Sequence, residues 1–305
     1  MTCHRIALAQ FESVDDKAAS LHGIVELMTQ AAGGGAELIV FHEFATTSYF
    51  CLERNKAYFS LAEPIPGPSS DKVSEAATRL GIHVVLPLYE LAQGRRYDTA
   101  ALIEPGVGVV ECYRKTHTTY TGAHGGEAGG NEPFYFDRGD SGFHVWETQF
   151  GTRVGVLICF DRHFPECQRV LGLRGADLVV CPTASSRAFI VGELWEAELQ
   201  SMAFQNTYYV AGVNKVGPVT PLREGRVYPG RSVVVDFEGR IIARADDSTG
   251  VIMADIDPEV ARQARAALRF TESRRPDLYA PIVEPLGEVD AMAFERREEP
   301  VEPSR

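Results

Sequence analysis

The chain has 305 residues, 45% of them apolar and 24% charged, an ordinary globular mix that excludes collagen-like, coiled-coil and largely disordered chains. Lys and Arg number 30 against 42 Asp and Glu, a net charge of −12, and an acidic body repels phosphate backbones, which excludes nucleic acid as a partner. No apolar run approaches about 18 residues, so no membrane partner is expected.

The opening residues MTCHRIALAQFESVDD show no basic region followed by an apolar stretch. No secretory signal is read, and six Cys are too sparse for a disulfide scaffold. The expected setting is a reducing cytoplasm with free thiols.

His4–Gln10 reads as a first strand. Residues 15–32 carry helical spacing through Ala18, Leu21, Val25 and Met28, and Gly33 to Gly35 end it. ELIVF (37–41) is a second, buried strand. Residues 69–80 read as a helix with Ser and Asp at its start. Strands follow at 82–88, 97–103 and 109–113, the last two joined through Pro105-Gly106. Residues 114–142, rich in Gly, Thr and His, show no period. A loop of that length in a compact domain suggests function, here a lid over a pocket, or disorder.

RVGVLI (153–158) is a strand leading into CFDRHFPE, and Pro165 suits the first turn of a helix running to about residue 174. Further strands are expected at 177–181 and 208–214, with a helix at 193–204 that puts Trp195, Leu199 and Met202 on one face. Residues 232–237 and 240–245 form a hairpin around Glu238-Gly239. A last strand covers 251–256 and a last helix Pro258–Leu268. Residues 1–282 form one α/β domain, and 283–305 a Pro- and Glu-rich tail, extended or used in oligomer contacts. There is no repeat, no P-loop and no Gly-x-Gly-x-x-Gly between a strand and a helix, so no bound nucleotide is expected.

Three strands share one arrangement: ELIVF runs into His42-Glu43, VECY into Arg114-Lys115, and RVGVLI into Cys159. Ligand crevices of α/β sheets lie beyond the C-terminal ends of strands. The chemistry of the three residues is coherent. A free thiol is mostly protonated at neutral pH, and a carboxylate beside it takes its proton during attack. An ammonium favours thiolate and neutralises the oxyanion formed at a carbonyl or nitrile carbon. A thiol at the foot of a helix also gains from the helix dipole and from backbone N–H groups.

These segments resemble the nitrilase, or carbon–nitrogen hydrolase, superfamily over roughly residues 5–280. The likeness rests on FHEFATTSYF (41–50), YRKTH (113–117), GVLICFDRHFPE (155–166), RGADLVVCPTAS (174–185) and GRSVVVDFEGRII (230–242), in that order. It implies a four-layer α-β-β-α sandwich as a single domain, assembled as a homodimer or higher homo-oligomer, with no metal and no cofactor. It implies Glu43 as general base, Lys115 as the oxyanion-stabilising cation and Cys159 as nucleophile. A second Glu of the family, standing before an aromatic strand, matches Glu132 in NEPFYF, expected to hold Lys115 or the substrate amide. The residue before the base, often Pro in the family, is His42 here.

The resemblance further implies a small-molecule substrate and a thioester-type intermediate with release of ammonia. In the N-carbamoyl-amino-acid hydrolases of the superfamily an Arg after Cys-x-Asp binds substrate carboxylate, and Arg162 occupies that place. The expected substrate is an N-carbamoyl amino acid, of β-alanine type or a D-α-amino acid. His163, where the D-specific enzymes often carry a second Arg, weakens the latter. N-carbamoylputrescine hydrolases resemble residues 134–146, but Arg162 would repel their cationic tail. An aliphatic amidase, a true nitrilase and a catalytically idle interaction protein are the other readings.

Tyr49, His117 and Phe160 are further substrate-binding candidates, and His124 is a candidate pocket residue. The alternatives are core packing for Tyr49, solvated loop positions for the two His, and for Arg162 a pairing with Asp161 or Glu166 that supports the turn. Cys159, His163 and Cys167 fall at i, i+4 and i+8, but Pro165 breaks the helix that metal ligation would require.

Overall fold

The computed structural model describes residues 3–119, 131–186, 193–219 and 226–284. His124, the centre of the 114–142 loop and the tail beyond 284 lie outside the described residues.

The first half supplies β1 (His4–Gln10), α1 (Lys17–Gly33), β2 (Leu38–Phe41), α2 (Pro68–Leu80), β3 (His83–Ala92), β4 (Arg95–Glu104), β5 (Gly108–Arg114) and the short α3 (Glu132–Tyr135). Local chemistry sets the helix ends. The Asp16 carboxylate accepts from the N–H groups of Ala18 and Ala19 at the start of α1. Pro68 opens α2, and Gly81, at φ +66°, closes it in the left-handed conformation that a glycine adopts without strain. The second half supplies β6 (Val145–Glu147), β7 (Arg153–Val156), α4 (Pro165–Leu173), β8 (Leu178–Thr183), α5 (Glu193–Asn206) and β9 (Tyr209–Asn214). A two-stranded ribbon of β10 (Val216–Pro218) and β11 (Val227–Pro229) follows. Then come β12 (Val233–Val235), β13 (Ile241–Arg244), β14 (Gly250–Ile256), α6 (Pro258–Leu268) and the short α7 (Ala280–Val283).

Two six-stranded mixed sheets result, ordered β14-β1-β2-β3-β4-β5 and β13-β12-β9-β8-β7-β6. The strands β1, β2 and β3 run parallel in one sheet, and β7, β8 and β9 in the other. Successive side chains of a strand point to opposite faces, and here both faces are covered. Ile6, Leu8, Leu38 and Val40 join Val154, Val156, Leu178 and Val180 in the core between the sheets. Their neighbours Ala7, Ala9, Ile39 and Phe41 pack outward with Leu21, Ile24 and Met28 of α1 and Val73 of α2. On the far side Val179, Cys181 and Val210 pack against Leu171 of α4 and Trp195, Leu199 and Met202 of α5. This is the α-β-β-α sandwich, and double-sided burial explains why ELIVF and RVGVLI are unbroken apolar runs. Each buried Leu or Ile stabilises the sandwich by about 1.5–3 kcal/mol.

Elements without a clear pattern are short. The strand β6 has three residues, as do both strands of the ribbon. Strands β3 and β4 extend beyond their expected ends and pair over nine residues. No helix among the described residues is long and apolar enough to cross a membrane.

Candidate active site

The ends of β2, β5 and β7 converge. Glu43 lies one residue beyond His42 at the end of β2, Lys115 directly after β5, and Cys159 three residues past β7. The Lys115 Nζ donates to Glu43 Oε1 at 2.7 Å and to Glu132 Oε1 at 2.8 Å. Cys159 stands within electrostatic reach of both Glu43 and Lys115. Glu43 and Glu132 are fully buried and Lys115 is 2% exposed. Cys159 alone of the four is partly open.

Each carboxylate is fixed by further donors. The Ala184 N–H, at the end of β8 in the opposite sheet, donates to Glu43 Oε2 at 2.9 Å. The Tyr49 hydroxyl donates to Glu132 Oε1 at 2.8 Å and the Thr119 N–H to Glu132 Oε2 at 2.7 Å. Gly139 approaches the Lys115 backbone so closely that a Cβ there would lie 2.6 Å from the Lys115 carbonyl oxygen, so the position requires glycine.

Burial alone would raise the Glu43 pKa, but the Lys115 charge, the Lys115 hydrogen bond and the polar groups of Asp98 and Cys159 nearby hold it below the ordinary value. Burial opposes the Lys115 charge, but Glu132 and Glu43 raise its pKa well above the usual lysine value. At Cys159 burial and then Glu43 push the thiol up, and Lys115 and Arg162 offset only part of this. The resting sulfur is therefore a thiol. The expectation that the ammonium favours thiolate holds in direction only, because desolvation exceeds it.

Two local expectations are corrected. Cys159 does not stand at the foot of a long helix. It begins a 3₁₀ turn, Cys159–His163, and α4 starts only at Pro165. Cys159 has φ +49°, a left-handed conformation that costs a non-glycine residue of order 1 kcal/mol. Phe44, the residue after Glu43, has φ +54°. Glu132 precedes no strand: Pro133 places it at the head of the four-residue α3, with the carboxylate turned into the site.

Arg162 takes neither expected local partner. Its Nε donates to Glu198 Oε2 at 2.9 Å and its Nη1 to the Cys159 carbonyl oxygen at 2.8 Å, with Nη1 also 3.9 Å from Sγ. It is 1% exposed, and its guanidinium lies 5.2 Å from the Trp195 ring. His163 Nδ1 donates to the other Glu198 oxygen at 2.6 Å. His117 is tied to Asp161 through its backbone N–H and its Nδ1, and stacks on Phe164 with ring centroids 3.7 Å apart. Phe160 packs against His163 and Phe164. Of the four substrate-binding candidates only Tyr49 reaches a carboxylate of the central cluster. Among the described residues no group of three or more His, Cys, Asp or Glu is arranged to hold a metal ion.

Sequence reasoning passes over Asp98, whose Oδ2 is 3.4 Å from Lys115 Nζ. The available signal is a lone acid inside the otherwise apolar strand YDTAALI, where β4 is buried on both faces. It also passes over Ala184, which contributes only its backbone, and Glu198, on α5, whose partners Arg162 and His163 lie 36 and 35 residues earlier.

Known proteins give the same picture. The family model described as Carbon-nitrogen hydrolase matches residues 5–266. The N-carbamoylputrescine amidase of Arabidopsis thaliana is 29% identical, the match covering 90% of this chain and 93% of that protein. The citrullinase of Francisella tularensis is 30% identical, over 92% of this chain and 98% of that one. The beta-ureidopropionase of Arabidopsis thaliana is 27% identical, over 91% of this chain and 70% of the relative. The crystal structure of a carbon–nitrogen hydrolase from Helicobacter pylori G27 superposes with a TM-score of 0.84 at 25% identity, covering 92% of this chain and 99% of that one. With the sandwich and the motif order already described, these matches make the chain a member of the carbon–nitrogen hydrolase family, a hydrolase of carbon–nitrogen bonds other than peptide bonds.

Proposed function

We propose that the protein hydrolyses the ureido group of an N-carbamoyl compound, with Cys159 as nucleophile, Glu43 as general base and Lys115 as the cation at the oxyanion. The observation that carries this is the Lys115 ammonium between two buried carboxylates, with the only partly open thiol of the cluster in the field of both Glu43 and Lys115. The names of several relatives point the same way, since N-carbamoylputrescine, citrulline and beta-ureidopropionate are all ureido compounds, whereas others are omega-amidases.

As sulfur forms a bond to the ureido carbon, Glu43 takes the thiol proton. The electron pair of the C=O bond moves to oxygen, which Lys115 and a backbone N–H near Phe160 stabilise. Collapse breaks a C–N bond, and Glu43 returns the proton to departing ammonia. Water, deprotonated by Glu43, then attacks the thioester-type carbon and releases sulfur. The carbamate product breaks down to amine and carbon dioxide. Glu132, with Tyr49 and Thr119, keeps Lys115 aimed at the reacting oxygen.

The preferred tail is an amino acid of the β-alanine type. A cationic tail is the second reading, favoured by a specific contact: Glu198 compensates the Arg162 charge, so Arg162 no longer argues against N-carbamoylputrescine. Ammonia release across N-carbamoyl-β-alanine, citrulline, N-carbamoylputrescine, aliphatic amides and nitriles tests the proposal. Turnover of at least one ureido compound above all amides and nitriles is expected, and turnover of nitriles or simple amides alone would overturn it.

A further inference from the structure

Three carboxyl groups, Glu43, Glu132 and Asp98, surround one ammonium in this site. All three and Lys115 are buried to within 2% exposure. If all were ionised, the cluster would hold three negative charges against one positive charge, away from water. Desolvation makes that arrangement costly, and a shared site of this kind retains a proton.

The hydrogen bonds identify which group retains it. Glu43 receives Lys115 on one oxygen and the Ala184 N–H on the other. Glu132 receives Lys115, Tyr49 and Thr119. Neither oxygen of Asp98 accepts a hydrogen bond from any described group. Its carboxyl nonetheless shares one ammonium with that of Glu43: the Lys115 Nζ lies 3.4 Å from Asp98 Oδ2 and 2.7 Å from Glu43 Oε1. Two buried carboxyl groups crowded on one ammonium are relieved when one of them keeps a proton, which the other can accept. Glu43, already receiving two N–H donors, is the better anion, so the proton belongs to Asp98. The other titratable groups facing Asp98 are Lys115, Glu132 and the Cys51 thiol, and of these only Lys115 carries positive charge.

We infer that Asp98 is a neutral positioning residue whose carboxyl O–H donates to Glu43, fixing the base and keeping it ionised beside Cys159. This deepens the proposed reaction and rests on it. Burial, reinforced by Glu43, raises the Asp98 pKa well above the ordinary value, in agreement with the contact pattern. An ionised Asp98 would act oppositely, repelling charge from Glu43 and making it a stronger, more easily protonated base.

Asp98→Asn and Asp98→Ala separate these roles in the full chain. Asn keeps a neutral donor of the same shape. Expected for Asn is kcat within about fivefold of the parent and an unmoved acid limb of kcat/KM. Expected for Ala is a fall in kcat of about 10- to 100-fold, with the acid limb moved upward by about one pH unit because Glu43 loses a hydrogen bond to its charged form. An acid limb moved downward in either variant, or Asn as impaired as Ala, would overturn the inference. Infrared difference spectra of parent against Asp98→Asn at neutral pH give an arm that needs no turnover. A protonated-carboxyl C=O band present in the parent and lost in the variant is expected, and its absence overturns the inference whatever the substrate proves to be. A chain that shows the band but hydrolyses no ureido compound instead refutes the reaction while leaving the proton assignment intact.

Discussion

The Arg162 Nε lies 2.9 Å from Glu198 Oε2, and this pairing compensates the guanidinium charge that stands 3.9 Å from the Cys159 Sγ. A buried guanidinium with a carboxylate partner is neutral as a unit. Replacing Glu198 by Gln leaves the cation uncompensated, at a stability cost of about 2–4 kcal/mol, since Glu198 is itself partly exposed. The ratio of kcat/KM for N-carbamoyl-β-alanine over N-carbamoylputrescine is expected to rise about tenfold or more, because the freed guanidinium attracts a carboxylate tail and repels an ammonium. An unchanged ratio in a folded Glu198→Gln enzyme would place the tail away from Arg162.

Cys159→Ala is expected to lower turnover by about four orders of magnitude or more while leaving the fold intact. Alkylation should be read with peptide mapping, because Cys3 is also exposed and Cys112 partly so, whereas Cys51, Cys167 and Cys181 are buried. Substrate should protect Cys159 and leave Cys3 labelling unchanged. Full activity in the Ala variant would end the thiol mechanism.

Tyr49→Phe removes one of three donors to Glu132 and nothing else polar. A net loss of about 1 kcal/mol corresponds to a roughly fivefold fall in kcat, with KM little affected. Steady-state kinetics with the preferred ureido substrate measure the split. A KM effect alone would make Tyr49 a substrate contact and not a support for Glu132.

The working protonation state has Glu43 ionised and Cys159 protonated. Glu43 lies below its ordinary value and Cys159 above its own. Activity is therefore lost as pH falls through the depressed Glu43 pKa, and a plateau is expected to extend from there through neutrality to beyond the ordinary thiol range. A profile of kcat/KM with an acid limb above pH 6 would contradict the Glu43 environment.

Lys215 is buried, its Nζ donating to the Thr47 carbonyl at 3.3 Å and lying 5.6 Å from the Tyr228 ring, and its pKa is lowered to about 7, chiefly by burial. Between pH 7 and its ordinary value of 10.5 the unfolded chain binds a proton that the folded chain does not. Stability thus rises with pH across that window by up to about 1.4 kcal/mol per unit from this one group. Lys215→Met should be more stable than the parent near pH 7, and its stability should climb less steeply toward pH 10. Denaturant unfolding at several pH values measures the slope, and equal slopes would show that Lys215 remains charged when folded.

Much of the fold is legible because the sandwich buries its central strands on both faces. ELIVF, RVGVLI and DLVVC are apolar runs for that reason; the first two are followed at once by His42-Glu43 and by Cys159, whereas DLVVC runs on in the sheet through Pro182 and Thr183. The same rule brings Glu43, Lys115 and Cys159 to notice. Asp98 escapes it because it sits within a strand, and its significance depends on Lys115 packing across from it. The Glu198 partner of Arg162 and the Ala184 N–H on Glu43 are contacts between distant segments, and no local pattern encodes them. The ribbon and β6 are too short to show a period.

The Ala184 N–H reaches Glu43 from the opposite sheet, and Cys159 belongs to that opposite sheet as well. The inter-sheet core therefore acts as a gauge block that sets the spacing of acid and sulfur. Core substitutions that let one sheet slip by a fraction of an ångström would detune the chemistry while the protein still looked folded by bulk spectroscopy. In a heating series, loss of turnover should then precede loss of secondary structure.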